Sequence, residues 1–436
     1  MEMLLRQELK KGAGIIRNPH ILLILLTALI LGLKLYILPN PWPKLPPEEC
    51  VEPPIKSDCG LIFDEAHYVP AVRKMLRGEA VNNEHPPLSK ALILVGILLL
   101  GDNPWGWRLL ITLCGAISVY FMGRMAYSLT RSWKTSLIAA AFLAFDISAF
   151  NLSSIAMLDA PAMLFSLLAS YLFLENRILL SGLAMGLALS SKTSTVFVLI
   201  SLLAYRFFYE IYWRNSLKDA LKKWLSIFEK IGFISFAILI ISLGVYDFSL
   251  NAFNTPFEHL DYILNYHSSL KYKEGDEVYL PLSWTNPLFP YPRTPYFVVT
   301  VTVDGKEYHP VAYYGMQTPL WWMTWLVAAL SAYMVYVELG RSRFPKVEMF
   351  ILSWFIFTYI VYFPIAHILG RWVYPFYFYT TLPAIAIGLP RILEGESFSE
   401  AILLLLLTAQ IIWFTLWFPV KPQWFIDFLL FIGAPA

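Results

Sequence analysis

Apolar runs close to 20 residues long recur along this 436-residue chain, the first of them "ILLILLTALILGLKLYIL" at 21–38. A helix of that length crosses the roughly 30 Å hydrocarbon core of a bilayer. Trp and Tyr gather at the edges of the runs, where membrane interfaces favour them. Composition agrees: 58% of residues are hydrophobic and 15% charged, against about 25% charged in a soluble domain. The chain therefore reads as an all-α polytopic membrane protein. A net charge of +2 says little, because the position of each charge matters more than the sum, and no nucleic-acid partner is expected.

Positions of the basic residues set an expected topology. Arg6, Lys10, Lys11 and Arg17 precede the first run, which is long for a signal-peptide core and lacks a small-x-small cleavage site, so it reads as a retained signal anchor. With the N-terminus cytoplasmic, residues from 39 onward emerge outside. "ALILVGILLLG" is too short to cross comfortably and is expected to lie at the interface, leaving "WGWRLLITLCGAISVYFMG" as the second span. Arg124, Arg131 and Lys134 then fall inside, as do Arg177, the basic stretch 206–230, Arg341, Arg343, Lys346 and Arg391. The segments 146–159, 190–194, 249–319 and 366–371 fall outside, as does the C-terminus, giving about 11 spans.

One membrane-embedded domain, 1–436, is expected, with a first outer loop at 39–104 and a large outer loop at 249–319. In the latter, "PYFVVTVTVDGKEYHPV" alternates β-branched residues around Asp304-Gly305, a short-hairpin signal. Cys50 and Cys59 share the first loop: a disulfide if it faces an oxidising exterior, two reduced thiols otherwise. Neither an internal repeat nor a separate soluble domain is evident, so any chemistry belongs at the membrane surface.

The first loop carries "LIFDEAHYVP" and then "NNEHPPLSKALI". Asp64, His67 and Tyr68 share a helix face that Glu65 does not, so one acid can point into a cleft while its neighbour braces the backbone or a base; the blander reading is a solvated acid pair. His85-Pro86-Pro87 suits a helix start whose free amides, with Lys90 one turn on, favour an anion; alternatively Lys90 snorkels to headgroups. Arg108, Asp159, Lys192 and Arg371 each fall near the outer end of a span, where ionisable groups tend to face interior cavities, although an Asp159–Arg108 pair serving helix packing is equally open. No Walker-type loop, HExxH, metal-spaced Cys/His cluster or D-x-D pair occurs in the sequence. A site made from these groups would stabilise an anionic leaving group with Arg and Lys, without a metal or other cofactor, and take its substrate from the bilayer.

"FDEAHY" with "EHPPLSK" resembles the acidic pair and His-Pro-Pro-Leu-Gly-Lys element of the protein O-mannosyltransferase family. "SSIAMLDAPAMLF", "GLALSSKTSTVF", "PLSW", "YPRTPY", "GMQTPLWW" and "LGRWVYPFYFYTTLPAIAIGL" resemble further family segments in the same order. The resemblance implies a C-type (GT-C) membrane glycosyltransferase fold with about 11 spans, interfacial helices in the first outer loop, and inverting transfer of mannose from dolichyl or polyprenyl phosphate mannose to Ser or Thr of a protein. It departs from the family at Ser89, at Met316-Gln317 and in lacking the sugar-binding-like outer domain of eukaryotic members, which suggests a prokaryotic, archaeal source and leaves the acceptor less defined than the donor.

By that resemblance Asp64 is the base, with Glu65 orienting the loop or a neighbouring cation. Arg108, Lys192, Arg371 and Lys90 are expected at the donor phosphate. His67 and His85 are expected to build the loop, Asp159 to support it, and Trp284, Trp321 and Trp322 to stack on sugar or anchor at the interface. Donor, acceptor protein and bilayer are the expected partners, with a dimer possible for the family. The rival readings are a same-fold transferase acting on a glycan or lipid, and a transporter, for which the inverted repeats such folds carry are not evident.

Overall fold

A computed structural model of the chain describes residues 18–51, 56–273, 280–288, 294–303 and 306–433. The basic start before Asn18, Tyr291-Pro292-Arg293 of "YPRTPY" and the Asp304-Gly305 turn lie outside the described residues.

Helix α1 (Pro19–Ile37) starts where the Asn18 side chain accepts from the His20 N–H and Pro19 takes the first turn, two signals that end a loop and begin a helix. The first loop then forms α2 (Glu65–Met75) and α3 (Leu88–Leu100). Asn103 and Pro104 open the long α4 (Pro104–Thr130), which stops at Arg131 in the left-handed region (φ 58°). Short α5 (Trp133–Ala144) and α6 (Ile147–Leu152) are capped by Ser132 and Asp146, and α7 (Asp159–Leu174) and α8 (Ile178–Ser191) follow.

A 3-10 turn, Thr193–Thr195, leads into α9 (Val196–Trp213) and the 34-residue α10 (Leu217–Leu250). At 1.5 Å per residue α10 is about 50 Å long and must project beyond the hydrocarbon core. The amphipathic α11 (Pro256–Ser269) begins the large loop. Strands β1 (Thr294–Val303) and β2 (Lys306–Gly315) form the expected antiparallel hairpin, with irregularities between Pro295 and Phe297 and between Val299 and Val301. Then come α12 (Pro319–Trp322), α13 (Thr324–Gly340), α14 (Lys346–Phe355) with a π-turn at Ile356–Ile360, and α15 (Tyr362–His367). A 3-10 run at Pro375–Thr381, α16 (Leu382–Ile392), α17 (Ser397–Leu416) and α18 (Gln423–Phe431) complete the described chain.

Among the described residues, six helical stretches are long and apolar enough to cross a membrane: Pro19–Ile37, Pro104–Thr130, Thr193–Trp213, Leu217–Leu250, Lys346–His367 and Ser397–Leu416. The shorter α5, α7, α8, α13 and the Pro375–Ile392 run occupy the remaining expected span positions. The protein is thus an integral, multi-pass helical bundle of the expected class.

The hairpin is held by β2. Asn151 Nδ2 donates to the Tyr314 carbonyl at 2.9 Å and the Met316 N–H to Ser148 Oγ at 2.8 Å. The Tyr313 hydroxyl reaches the carbonyl oxygens of Ile37 and Asn40 at 3.2 and 3.0 Å. These bonds seat the hairpin on α6 and on the exit of the first span, beside the first loop. In that loop Cys50 and Cys59 are joined as a disulfide.

Candidate active site

The acidic pair separates as its spacing demands. Phe63 turns through the left-handed region (φ 53°), a rare conformation for a bulky residue, and Asp64 caps α2, its carbonyl accepting the His67 and Tyr68 N–H groups at 2.9 and 3.1 Å. Asp64, His67 and Tyr68 therefore face one cavity of about 380 Å³. Glu65 points the other way and is fully buried. Its two oxygens take Arg108 Nε at 2.8 Å and Nη2 at 2.7 Å, and also the N–H groups of Ile62 and Ala156.

That pairing corrects one expectation. Arg108 was to hold the donor phosphate, but it too is fully buried and its remaining donors go to the carbonyl oxygens of Leu38, Asn40 and Gly60. A guanidinium whose donors are all committed has none left for a ligand. Arg108 joins the first span's exit to the loop through Glu65, and the Asp159–Arg108 pairing does not occur. Lys90 does not line the cavity either: buried, it donates to the carbonyl oxygens of Asn82 and His85 and so ties its own loop together. Burial pushes its ammonium down to about 7.

Lys192 remains on the cavity. The extended backbone at Lys192 ends α8; its Nζ lies 2.7 Å from Asp159 Oδ1 and 5.1 Å from the centre of the Tyr377 ring. Asp159 stands behind it, nearly buried. Arg371 lies one layer back, donating from Nε to the His267 carbonyl at 2.8 Å, with Nη2 3.2 Å from His267 Nδ1. Since Arg371 can only donate, His267 must accept at Nδ1 and carry its proton on Nε2. That atom is buried and unpartnered, as is His85 Nδ1; the two rings, 5.3 Å apart, both line the cavity. Burial is the main cause that lowers both imidazoles, His267 to about 4 and His85 well below its ordinary value. Both are neutral near pH 7, so positive charge on the cavity comes from Lys192, with Arg371 behind.

Burial pushes the Asp64 carboxyl up to about 6, against the pull of His67 and then Lys192, with Asp159 adding a smaller push. A half-buried carboxylate poised there accepts a proton well near neutrality.

The tryptophans divide. Trp321 lines the cavity, its Nε1 held by Asp146 Oδ2 at 2.8 Å. Trp322 instead donates to Gln317 Oε1 at 2.9 Å, and Trp284 is buried against Tyr359 and Tyr362; neither lines the cavity, so neither is placed to stack on a sugar there. Gln317, one of the family departures, bridges Trp322 to the Ser283 carbonyl. Sequence reasoning missed Glu84, Tyr266 and His267 on the cavity wall. Tyr266 and His267 sit near the end of α11, in a segment of the large outer loop that carries no motif. Among the described residues no group of three His, Cys, Asp or Glu side chains is placed to hold a metal ion.

A second, apolar cavity of about 1010 Å³ lies between α8, α9, α10 and α11, lined by residues such as Leu189, Thr193, Val196, Phe233, Phe236 and Leu260. Thr193 follows Lys192 in sequence, so neighbouring residues stand in the walls of the two cavities.

Comparison with known proteins locates the resemblance. Residues 84–242 match the family model described as dolichyl-phosphate-mannose-protein mannosyltransferase. A polyprenol-phosphate-mannose–protein mannosyltransferase of Mycolicibacterium smegmatis is 33% identical over 129 residues, covering 28% of this chain and 25% of the relative. A dolichyl-phosphate-mannose–protein mannosyltransferase of Saccharomyces cerevisiae is 28% identical over 219 residues, covering 42% of this chain and 25% of the relative. The matched stretches span about a quarter of each relative's length. Among solved structures, the S. cerevisiae protein O-mannosyltransferase complex bound to the sugar donor matches with a TM-score of 0.69 and 13% identity, covering 92% of this chain and 90% of that one. ArnT from Cupriavidus metallidurans bound to undecaprenyl phosphate matches with 0.51 and 16%, covering 88% and 62%. The fold is that of the C-type membrane glycosyltransferases, and the family resemblance read from the motifs holds over 84–242. The relatives named are bacterial and eukaryotic, which does not support the expected archaeal source.

Proposed function

We propose that the protein transfers mannose, with inversion, from a polyprenyl (dolichyl) phosphate carrier to a Ser or Thr hydroxyl of a polypeptide on the extracytoplasmic side of the membrane. The observation that carries this reading is the Asp64 carboxylate, lifted to about 6, on the same cavity wall set as the Lys192 ammonium. Asp64 takes the acceptor hydroxyl proton, and the oxygen attacks the sugar's anomeric carbon from the face opposite the phosphate. The bond from that carbon to the phosphate oxygen breaks, and polyprenyl phosphate leaves with the electron pair. Lys192 meets the charge that develops on it, with Arg371 and the Nε2–H of His267 behind and beside. The carrier's apolar tail lies in the groove that Thr193 helps line, so the reacting phosphate sits where bilayer and water meet.

Partners on this reading are the lipid-linked donor, the acceptor polypeptide, the bilayer and a second copy of the chain. The test is transfer of labelled mannose from dolichyl phosphate mannose in membranes, comparing the native protein with Asp64→Asn, and offering Ser/Thr peptides and lipid-linked glycans separately. General-base loss predicts a fall of about 10²–10⁴ in peptide labelling. Labelling of glycan alone would keep the base and replace the acceptor; undiminished transfer by the variant would remove Asp64 from the role.

A further inference from the structure

We propose that the outer edge of β1 receives the acceptor polypeptide as an added strand, delivering its Ser or Thr hydroxyl to Asp64. The inference rests on the protein-mannosylation reading and specifies how that acceptor is held.

The hairpin's two edges are treated differently. On β2 the edge is closed: the Ala312 N–H donates to the Pro419 carbonyl at 2.8 Å, the Lys421 N–H donates to the Pro310 carbonyl at 2.9 Å, and Val311 pairs with Val420. β2 also packs on α6 and α18. On β1 the main chain receives one bond from outside the hairpin among the described residues, Phe63 N–H to the Tyr296 carbonyl at 3.3 Å. Along 297–303 the backbone groups turned away from β2 meet no partner among the described residues. Thr300, Val301 and Thr302 are exposed.

Such an edge is a template for another strand, and proteins usually guard it with charges, proline or a bulge that twists it away. The run "FVVTVTV" has no charge and no proline, and its β-branched residues favour an extended partner. One irregularity falls between Val299 and Val301, leaving most of the run regular.

The edge leads to the chemistry. At its inner end Thr294 and Tyr296 line the cavity with Asp64. The Phe63 ring stacks on Tyr296 with centroids 4.2 Å apart, so a residue already paired to this edge is the neighbour of the base. Gly315, opposite, leaves the space Tyr296 fills: a Cβ there would come within 2.3 Å of the Tyr296 hydroxyl. At about 3.4 Å per residue the seven positions 297–303 offer a rail of roughly 24 Å. Ladder bonds are made by backbone and so accept many sequences, which suits an acceptor defined by a hydroxyl on an extended chain.

The test uses the full-length protein in membranes, dolichyl phosphate mannose, and a peptide with a single Thr. Derivatives carry one backbone N-methyl group at each successive position on either side of that Thr, and N-acetyl-threonine amide serves as an acceptor too small to form a strand. Strand addition predicts a period of two on one side of the Thr: alternate methylations raise KM several-fold to about tenfold, while those between change it little. Val301→Lys, exposed and away from the cavity, raises KM for the peptide and leaves transfer to N-acetyl-threonine amide unchanged. An aperiodic or flat methylation profile overturns the inference while peptide labelling itself upholds the reading beneath it. Absence of label on the unmethylated peptide, with glycan labelled, overturns both.

Discussion

Asp64 and Glu65 are neighbours in sequence, yet the start of α2 sends one to the cavity and the other into a fully buried ion pair. Their variants should therefore fail in different ways. With its carboxyl lifted to about 6, Asp64 is protonated and useless as a base below that pH, so kcat/KM for transfer should climb about tenfold per pH unit up to about 6 and then level. Lys192 is one of the charges that pulls this value down. Replacing it by Ala removes the pull, so the limb should move to higher pH while the plateau falls; a pH–rate profile of Lys192→Ala with an unmoved limb would separate the two groups. Arg108→Ala leaves the buried Glu65 carboxylate unpaired, at a cost of about 3–5 kcal/mol. That loss should appear as a lower unfolding temperature in detergent, and the folded fraction should keep its KM for donor. A raised donor KM without destabilisation would return Arg108 to the phosphate.

At the scale of elements, the close crossing of α3 and α4 decides where Arg108 sits. A Cβ on Gly96 would lie 2.1 Å from the Gly106 carbonyl oxygen, an overlap that neither helix backbone can absorb without separating. Gly96→Ala should cost about 1–3 kcal/mol, read as a fall in unfolding temperature, while Gly32→Ala, with open space around it, should be neutral or slightly stabilising. Much at this scale was legible in the sequence. Strand alternation announced the hairpin, and run lengths announced the spans. The i, i+3, i+4 rule also placed Asp64, His67 and Tyr68 together. What was not legible is which carbonyl oxygens converge on a cation. Leu38, Asn40 and Gly60 consume Arg108, and Asn82 and His85 engage Lys90, contacts made by backbone that carries no residue signature. His267 escaped for the complementary reason: its partner, Arg371, is 104 residues away and acts through a ring nitrogen and a carbonyl.

Across the whole molecule, the groups of the site come from loops and helix ends that alternate along the chain. They include the loop after α1, the start of α7, the ends of α8 and α11, the loop after α15 and the 3-10 run at Pro375–Thr381. An up-and-down bundle brings alternate connections to one face, so a single parity decision fixes which side of the membrane the reaction uses. Two independent features favour the outside. Basic residues concentrate in the opposite connections, around 206–230 and 341–346, as cytoplasmic loops do. The Cys50–Cys59 disulfide lies on the site's own face, and disulfides persist where the compartment is oxidising. With those two cysteines joined and Cys114 buried, single introduced thiols report cleanly. Ser268→Cys, exposed on α11 beside the site, should be labelled in sealed cells by a membrane-impermeant maleimide. Asn215→Cys, exposed between α9 and α10, should react only after the membrane is opened. The reverse pattern would turn the molecule over and place the acceptor in the cytoplasm, where an extended, unfolded polypeptide would have to be captured before export rather than as it emerges.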